Sequence, residues 1–367
     1  MREPSIGVRN IIKSRCGENA MTSRFERSEA EHRKQVEAYQ KQWETYRLYA
    51  ELLRRVLGRA RRVIGADGFA QARAKAIPSF AEKIIRKQHK YEDPIHDFTD
   101  LCGGRVVTCT QSSADAICGF VRDSFIVDED NSVDKREVLR ATEFGYRSIH
   151  YVVQMPWMGL LGTDTFRPII ESVSGGKGEE AYLALQKIGS GDADSVIRDA
   201  FEAAEKQGID VVEELQTIMP PENASILREE IESLLQSAVS EGCDTALDVM
   251  CRIGNRKAEI QSATMLQYVW AATTHDRLYK GSFDPPDPLR REFHRIAAQL
   301  EDSDADFSRA LTAFDEYQMD YGSYMTAEEI REEISKWQVA ARYDPENVDL
   351  ALKIAGLAAA LEEWDEV

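Results

Sequence analysis

The sequence predicts an α+β protein: a few strands from separated stretches share one sheet, and helices make up the rest. Three observations carry this. Residues 143–153 begin at a glycine turn and then alternate in polarity, and residues 98–110 run from Asp100 and a Gly103-Gly104 pair into the β-branched run Val106-Val107-Thr108. Residues 256–261 alternate again, and nearly everything else repeats its apolar residues at three- and four-residue spacing.

The elements follow in order. Over 22–64, Ala38, Trp43, Tyr46, Tyr49, Leu52, Leu53, Val56 and Leu57 recur at helical spacing, which predicts one long or two shorter amphipathic packing helices within a 1–70 unit. Gly65-Ala66-Asp67-Gly68 breaks the pattern. A basic island follows, with Arg73, Lys75, Lys83, Arg86, Lys87, His89 and Lys90. A helix can start at Pro78 or Ser79, and it would bring Lys83, Lys87 and Lys90 to one side. The island is either a solvated basic face or a cradle for phosphates. Asp100 sits at the mouth of the next strand, as a turn residue or as a hard oxygen ligand for a cation. Residues 111–123 read as helix, 125–127 as a short strand and 128–144 as a charged loop.

In the strand over 143–153, Tyr146, Ser148 and His150 share one face and Arg147, Ile149 and Tyr151 the other. That is either the edge of a half-buried sheet or the floor of a site. After Pro156, residues 157–250 carry 19 Asp and Glu against 6 Lys and Arg, which predicts an acidic helical insertion. Over 256–261, Lys257, Glu259 and Gln261 face one way. Residues 263–280 read as a helix with Leu266, Val269, Trp270 and Thr273 on its apolar side. Asp284-Pro285-Pro286-Asp287-Pro288 ends that unit, and a helical extension over 283–335 and a helical tail over 336–367 follow.

Composition narrows the function. The chain has 367 residues, 43% hydrophobic and 30% charged, enough for two or three domains. Net charge is -18, so a broad nucleic-acid-binding coat is excluded and any phosphate site must be a local basic island. No apolar run reaches transmembrane length and no secretory h-region is visible, so a cytoplasmic protein without membrane contact is expected. The six cysteines form no C-x-x-C pair and the six histidines no zinc spacing, which points to free thiols.

Five stretches in order resemble the RelA/SpoT-type synthetase domain that makes (p)ppGpp alarmones. They are Arg73-x-Lys75-x3-Ser79-x3-Lys83; Asp100-Leu101-x-Gly103-x-Arg105-Val106; Gly145-Tyr146-Arg147-Ser148-Ile149-His150; Glu259-Ile260-Gln261; and Trp270-Ala271-x3-His275-x3-Tyr279-Lys280. Together they delimit a core over 71–156 and 251–282. The resemblance implies a nucleotidyltransferase-like mixed five-stranded sheet flanked by helices. It also implies transfer of pyrophosphate from ATP to a nucleotide 3′-hydroxyl, with GDP or GTP as acceptor. By the same resemblance, Asp100 is a Mg²⁺ ligand and Glu259 the second catalytic carboxylate, as base or metal partner. Arg73 stacks on adenine; Lys75, Ser79, Lys83 and Arg105 serve ATP and its phosphates; Tyr146, His150, Gln261 and His275 serve the acceptor.

The sequence departs from the family pattern at Thr142, Phe144, Ala263 and Gln267-Tyr268, all on the implied acceptor side. A toxin-type relative acting on adenine nucleotides or the tRNA 3′ end is therefore a second expectation, and an inactive nucleotide-binding scaffold a third. No hydrolase His-Asp pattern precedes the core, so synthesis without hydrolysis is expected. The insertion is either a regulatory acidic lid over the basic island, a protein-docking surface, or packing only. The tail, with Asp344-Pro345-Glu346-Asn347, Ala355 and Trp364-Asp365-Glu366-Val367, resembles half a tetratricopeptide repeat, and a lone amphipathic helix is the alternative.

Overall fold

The computed structural model describes residues 28–138, 144–145, 147–186, 191–278, 286–320 and 325–361. Helix α1 spans Glu29–Val63. Ser28 caps it in a reciprocal pair with Glu31, and Arg61 and Arg62 close it against the helix dipole. It is one helix, and its buried stripe runs from Tyr39 to Ala60. Strand β1 (Gly68–Ala74) follows, then α2 (Ile77–Arg86) and α3 (Pro94–Asp97). Next come β2 (Cys102–Thr108), α4 (Gln111–Ser124) and β3 (Ile126–Val127). Strand β4 (Val133–Asp134) and helix α5 (Lys135–Val138) precede β5 (Ile149–Gln154).

The insertion contributes α6 (Trp157–Leu160), α7 (Arg167–Val173), α8 (Gly178–Leu185), α9 (Gly191–Lys206), α10 (Pro221–Leu235) and α11 (Ala246–Ile253). Strand β6 (Lys257–Thr264) and α12 (Met265–Leu278) complete the core. Helices α13 (Asp287–Asp320), α14 (Ala327–Ala341) and α15 (Val348–Ala360) follow.

The sheet is mixed, in the order β1-β2-β6-β5-β3, with β4 paired to β5 off that path. Five strands were expected; the described residues form six, because two-residue β4 adds to the edge. β2 and β6 are parallel and the other pairs antiparallel. Register sets the faces. Ala72, Gly104, Ile260 and Tyr151 align across the sheet on one face. There a Cβ on Gly104 would sit 2.9 Å from Leu53, so glycine is what lets α1 approach β2 this closely. Ser262 on the same face donates to the Ala114 carbonyl of α4. The opposite face carries Arg73, Gly103, Glu259 and Val152 in one row and Gln71, Arg105, Gln261 and His150 in the next.

The insertion packs on the α1 side. Its buried Ile197, Phe201, Leu227, Ile231 and Leu234 belong to the same core as Leu53, Leu57 and Ile260. Arg55 donates to Ser233, and Arg256, 4% exposed, pairs with Asp194. A lid over the basic island is not what this packing shows. The insertion's apolar stripes are buried against α1 and α4, on the face opposite Glu259. In the tail, α14 and α15 form a hairpin with a small core of Ile330, Ile334, Ile354, Leu357 and Ala358. The segment Trp364-Asp365-Glu366-Val367 lies outside the described residues.

Candidate active site

The site gathers where β1 ends and β2 begins. The β1–β2 ladder continues one step past Ala74, because the Lys75 amide donates to the Leu101 carbonyl at 2.8 Å. That step sets Lys75 beside Asp100. The Lys75 carbonyl is held in turn by Tyr39 Oη at 2.7 Å and Trp43 Nε1 at 3.1 Å, both from α1. Lys83 reaches the same carboxylate from α2, its ammonium lying 4.1 Å from the Phe98 ring centre. Lys75 Nζ donates to Asp100 Oδ2 at 2.8 Å and Lys83 Nζ to Oδ1 at 2.7 Å. Burial pushes the Asp100 carboxyl up, and the two lysines more than offset this, holding it below its usual range.

A second carboxylate stands on β6. Glu259 is aligned with Gly103, the third residue after Asp100 along the chain. His150 Nδ1 lies 3.1 Å from Glu259 Oε1, and Gln261 Nε2 donates to the same oxygen at 2.7 Å. Because an ionised carboxylate only accepts, Nδ1 carries a proton in this contact. His150 Nε2 meets the buried Ser148 hydroxyl at 2.8 Å. Burial raises the Glu259 carboxyl and the Asp100 charge adds to that; His150 and Gln261 outweigh both and hold it below its usual range. Gln261 Oε1 accepts from Arg105 Nε and Nη2 at 2.9 and 2.6 Å. The Arg105 guanidinium lies 5.3 Å from the Tyr268 ring centre, and Tyr268 packs edge-on to Phe69.

The structure therefore joins Lys75, Lys83 and Asp100 in one cluster, and Arg105, Gln261, Glu259, His150 and Ser148 in one chain of contacts. Arg73 is exposed on β1, in the same row as Glu259. Ser79 is exposed on α2. Tyr146 lies outside the described residues, as does the side chain of His275 on α12. Lys83, Lys87 and Lys90 do not share a helix face, since α2 ends at Arg86, with Lys87 as its C-cap. Val269 is 50% exposed, so the buried side of α12 is marked by Trp270 and Thr274.

Sequence reasoning missed Tyr39, Trp43, Phe98 and Tyr268 as supports of the site. It also missed α13, which docks on the loop before β5. Arg147 pairs with Glu301, His294 Nδ1 lies 2.6 Å from the Phe144 carbonyl, and Thr264 donates to Asp304 at 2.6 Å. Burial raises the Asp304 carboxyl, opposed by Thr264 and Arg147. Arg147, Glu301 and Asp304, with Trp270, Gln267 and Leu300, border a cavity of about 220 Å³.

Among the described residues, no cluster of three or more His, Cys, Asp or Glu side chains is arranged to hold a metal, and no helix is long and apolar enough to cross a membrane. Two ionised carboxylates on one edge suit Mg²⁺ better than a closed protein cage would. That ion is held through one or two carboxylates and completes its shell with water and substrate phosphates.

Residues 72–165 match the family model described as "Region found in RelA / SpoT proteins". No curated protein matches the chain. Among solved structures, the chain is similar to the small alarmone synthetase 1 from Bacillus subtilis. Identity is 17%, TM-score 0.42, and coverage 76% of this chain and 99% of that one. The same synthetase bound to its product pppGpp matches with 17% identity, TM-score 0.42 and coverage of 76% and 98%. A GTP pyrophosphokinase family protein from Streptococcus pneumoniae matches with 17% identity, TM-score 0.35 and coverage of 66% and 73%.

Proposed function

We propose that the chain transfers the β,γ-pyrophosphate of ATP to the 3′-hydroxyl of a nucleotide, GDP or GTP first among them, and that it synthesises without hydrolysing. The observation that carries this is the half-buried Lys75–Asp100–Lys83 cluster, which lies within the RelA/SpoT-matching segment, with Glu259 from outside that segment beside it. In the reaction the acceptor hydroxyl oxygen attacks the β-phosphorus, and its proton passes to the Glu259 carboxylate or to water. The bond from that phosphorus to the bridging oxygen breaks, and AMP leaves with the electron pair.

Such a transfer needs positioning and charge neutralisation more than covalent help. Lys75 and Lys83 are point charges already gathered at one spot, and triphosphate oxygens can take their hydrogen bonds over from Asp100. Arg105 offers a forked donor whose Nε and Nη2 now rest on Gln261. Exposed Arg73 is free of burial constraints on stacking with a base. Asp100 and Glu259 would hold a Mg²⁺ ion, whose charge would offset that developing on the phosphate oxygens. Glu259 is ionised at neutral pH, as either a metal ligand or a proton acceptor must be; its depressed basicity favours the ligand role. His150 and Gln261 orient it.

The test is transfer from ATP labelled in its β-phosphate, with GDP, GTP, ADP, ATP and bulk tRNA offered separately and Glu259→Gln as control. Label on guanine nucleotides is expected. Label only on adenine nucleotides or tRNA would move the acceptor to the toxin-type alternative. Nucleotide binding without AMP release would reduce the protein to a scaffold.

A further inference from the structure

Helix α13 carries a line of large apolar side chains that the chain itself leaves in solvent. Leu289 is 47% exposed, Ile296 41%, Phe307 57% and Phe314 53%. Their spacings are seven, eleven and seven residues. At roughly 100° per residue, the four fall within about 20° of one another around the helix axis. The docked edge, marked by Leu300, Asp304, Ala297, Ser308 and Glu301, runs from about 20° to about 120° on one side of Leu289 by the same rule. The exposed line thus adjoins the docked edge at Leu300 and faces solvent beyond it. Tyr317, 53% exposed, flanks it. A surface helix ordinarily puts its polar residues where these four stand.

The spacing reads the same from either end. A two-fold axis through the midpoint between Glu301 and Asp302 therefore sets Leu289 opposite the second copy's Phe314, and Ile296 opposite its Phe307. Four apolar layers result from one line of residues, which is the self-complementarity an isologous contact requires. Charge selects the same arrangement. Residues 287–300 hold Arg290, Arg291 and Arg295 against two acids, whereas residues 301–320 hold seven acids against Arg309. Antiparallel copies bring the basic half against the acidic half and oppose the two helix dipoles; parallel copies would stack acid on acid. The acidic half also disfavours an anionic lipid surface as the occupant.

We propose that α13 is a self-pairing helix, through which two copies of this chain associate antiparallel along Leu289, Ile296, Phe307 and Phe314. The proposal stands apart from the enzymatic reading, since it needs no nucleotide.

Light scattering after size exclusion, over a range of chain concentrations, reads the mass directly. The wild-type chain is expected at twice the monomer mass, and Phe307→Glu with Phe314→Glu at the monomer mass with unchanged circular dichroism. A monomeric wild type overturns the proposal, as does a dimer that survives the double substitution, because another surface would then hold it. Register has its own test. Leu289→Lys and Phe314→Glu chains should each dimerise at least ten-fold more weakly than wild type. Their equimolar mixture should recover dimer, since one end then pairs Lys with Glu and the other keeps Leu with Phe. No recovery in the mixture overturns the antiparallel two-fold.

Discussion

Replacing Asp100 by Asn isolates the electrostatic cluster at little steric cost. Two ammonium groups donate to the carboxylate at 2.8 and 2.7 Å, from side chains 17% and 18% exposed onto one 28% exposed. Hydrogen bonds to charged groups are worth about 1.5–3 kcal/mol each when well shielded. Asn keeps one acceptor oxygen, so one of the two bonds survives in weakened, neutral form. Partial exposure draws the loss toward the lower end. The two lysines, no longer sharing a negative charge, repel one another. The sum is a loss of about 2 kcal/mol at pH 7.

The sign of the pH dependence follows from the depressed carboxyl. Asp100 titrates below its usual value in the folded chain, mainly because the lysines outweigh the cost of burial. Its stabilisation is therefore fully present above the unfolded value of about 3.9 and is lost as pH falls through the folded value. Urea unfolding of wild type and Asp100→Asn, followed between pH 7 and pH 3, should show a gap of about 2 kcal/mol that narrows only below about pH 4. An Asn variant as stable as wild type at pH 7, or a gap that stays constant into acid, would refute the reasoning.

Other outcomes follow from single contacts. Gly104→Ala would force Cβ against Leu53 and Leu57 at 2.9 and 3.1 Å; a loss of about 1–3 kcal/mol in urea unfolding is expected, with the α1–β2 contact loosened. Phe98→Ala removes a 3% exposed ring beneath Lys83 and should cost about 3–5 kcal/mol, with weaker ATP binding by calorimetry. Tyr39→Phe should cost about 1 kcal/mol, because Trp43 still holds the Lys75 carbonyl. Iodoacetamide at pH 8 should label exposed Cys109 and spare Cys102, Cys118, Cys243 and Cys251, read by peptide mapping; burial raises the Cys102 thiol and pushes Cys251 up to about 12.

Much of the site was legible along the chain because its parts are short and lie in order. Asp100, Arg105, His150, Glu259 and Gln261 each stand on a stretch whose local pattern already marks a strand or its mouth. Strand β1 was not legible. Gly68-Phe69-Ala70-Gln71-Ala72-Arg73-Ala74 has little strand propensity, and it is extended because β2 offers it a full antiparallel ladder. The lid expectation failed for a related reason: charge counts report how acidic the insertion is, while the direction its apolar stripes face is set by what they bury against.

Local periodicity by itself determined the helical character of 22–64 and of the insertion, the strands β2, β3, β5 and β6, and the presence of a basic island in an acidic chain. Those follow from side-chain spacing and burial, which act over a few residues. Tertiary structure alone decided that Lys75 and Lys83 converge on Asp100, that Gln261 joins Arg105 to Glu259, and that α13 holds Arg147 while turning Phe307 and Phe314 outward. Each of these depends on strand register or helix docking between segments far apart in sequence. A one-residue slip of β2 against β6 would send Glu259 to the α1 face. The alternation of Ala258 and Ile260 with Lys257, Glu259 and Gln261 opposes it, but which residues of β2 and β5 then stand beside Glu259 is set only by the pairing.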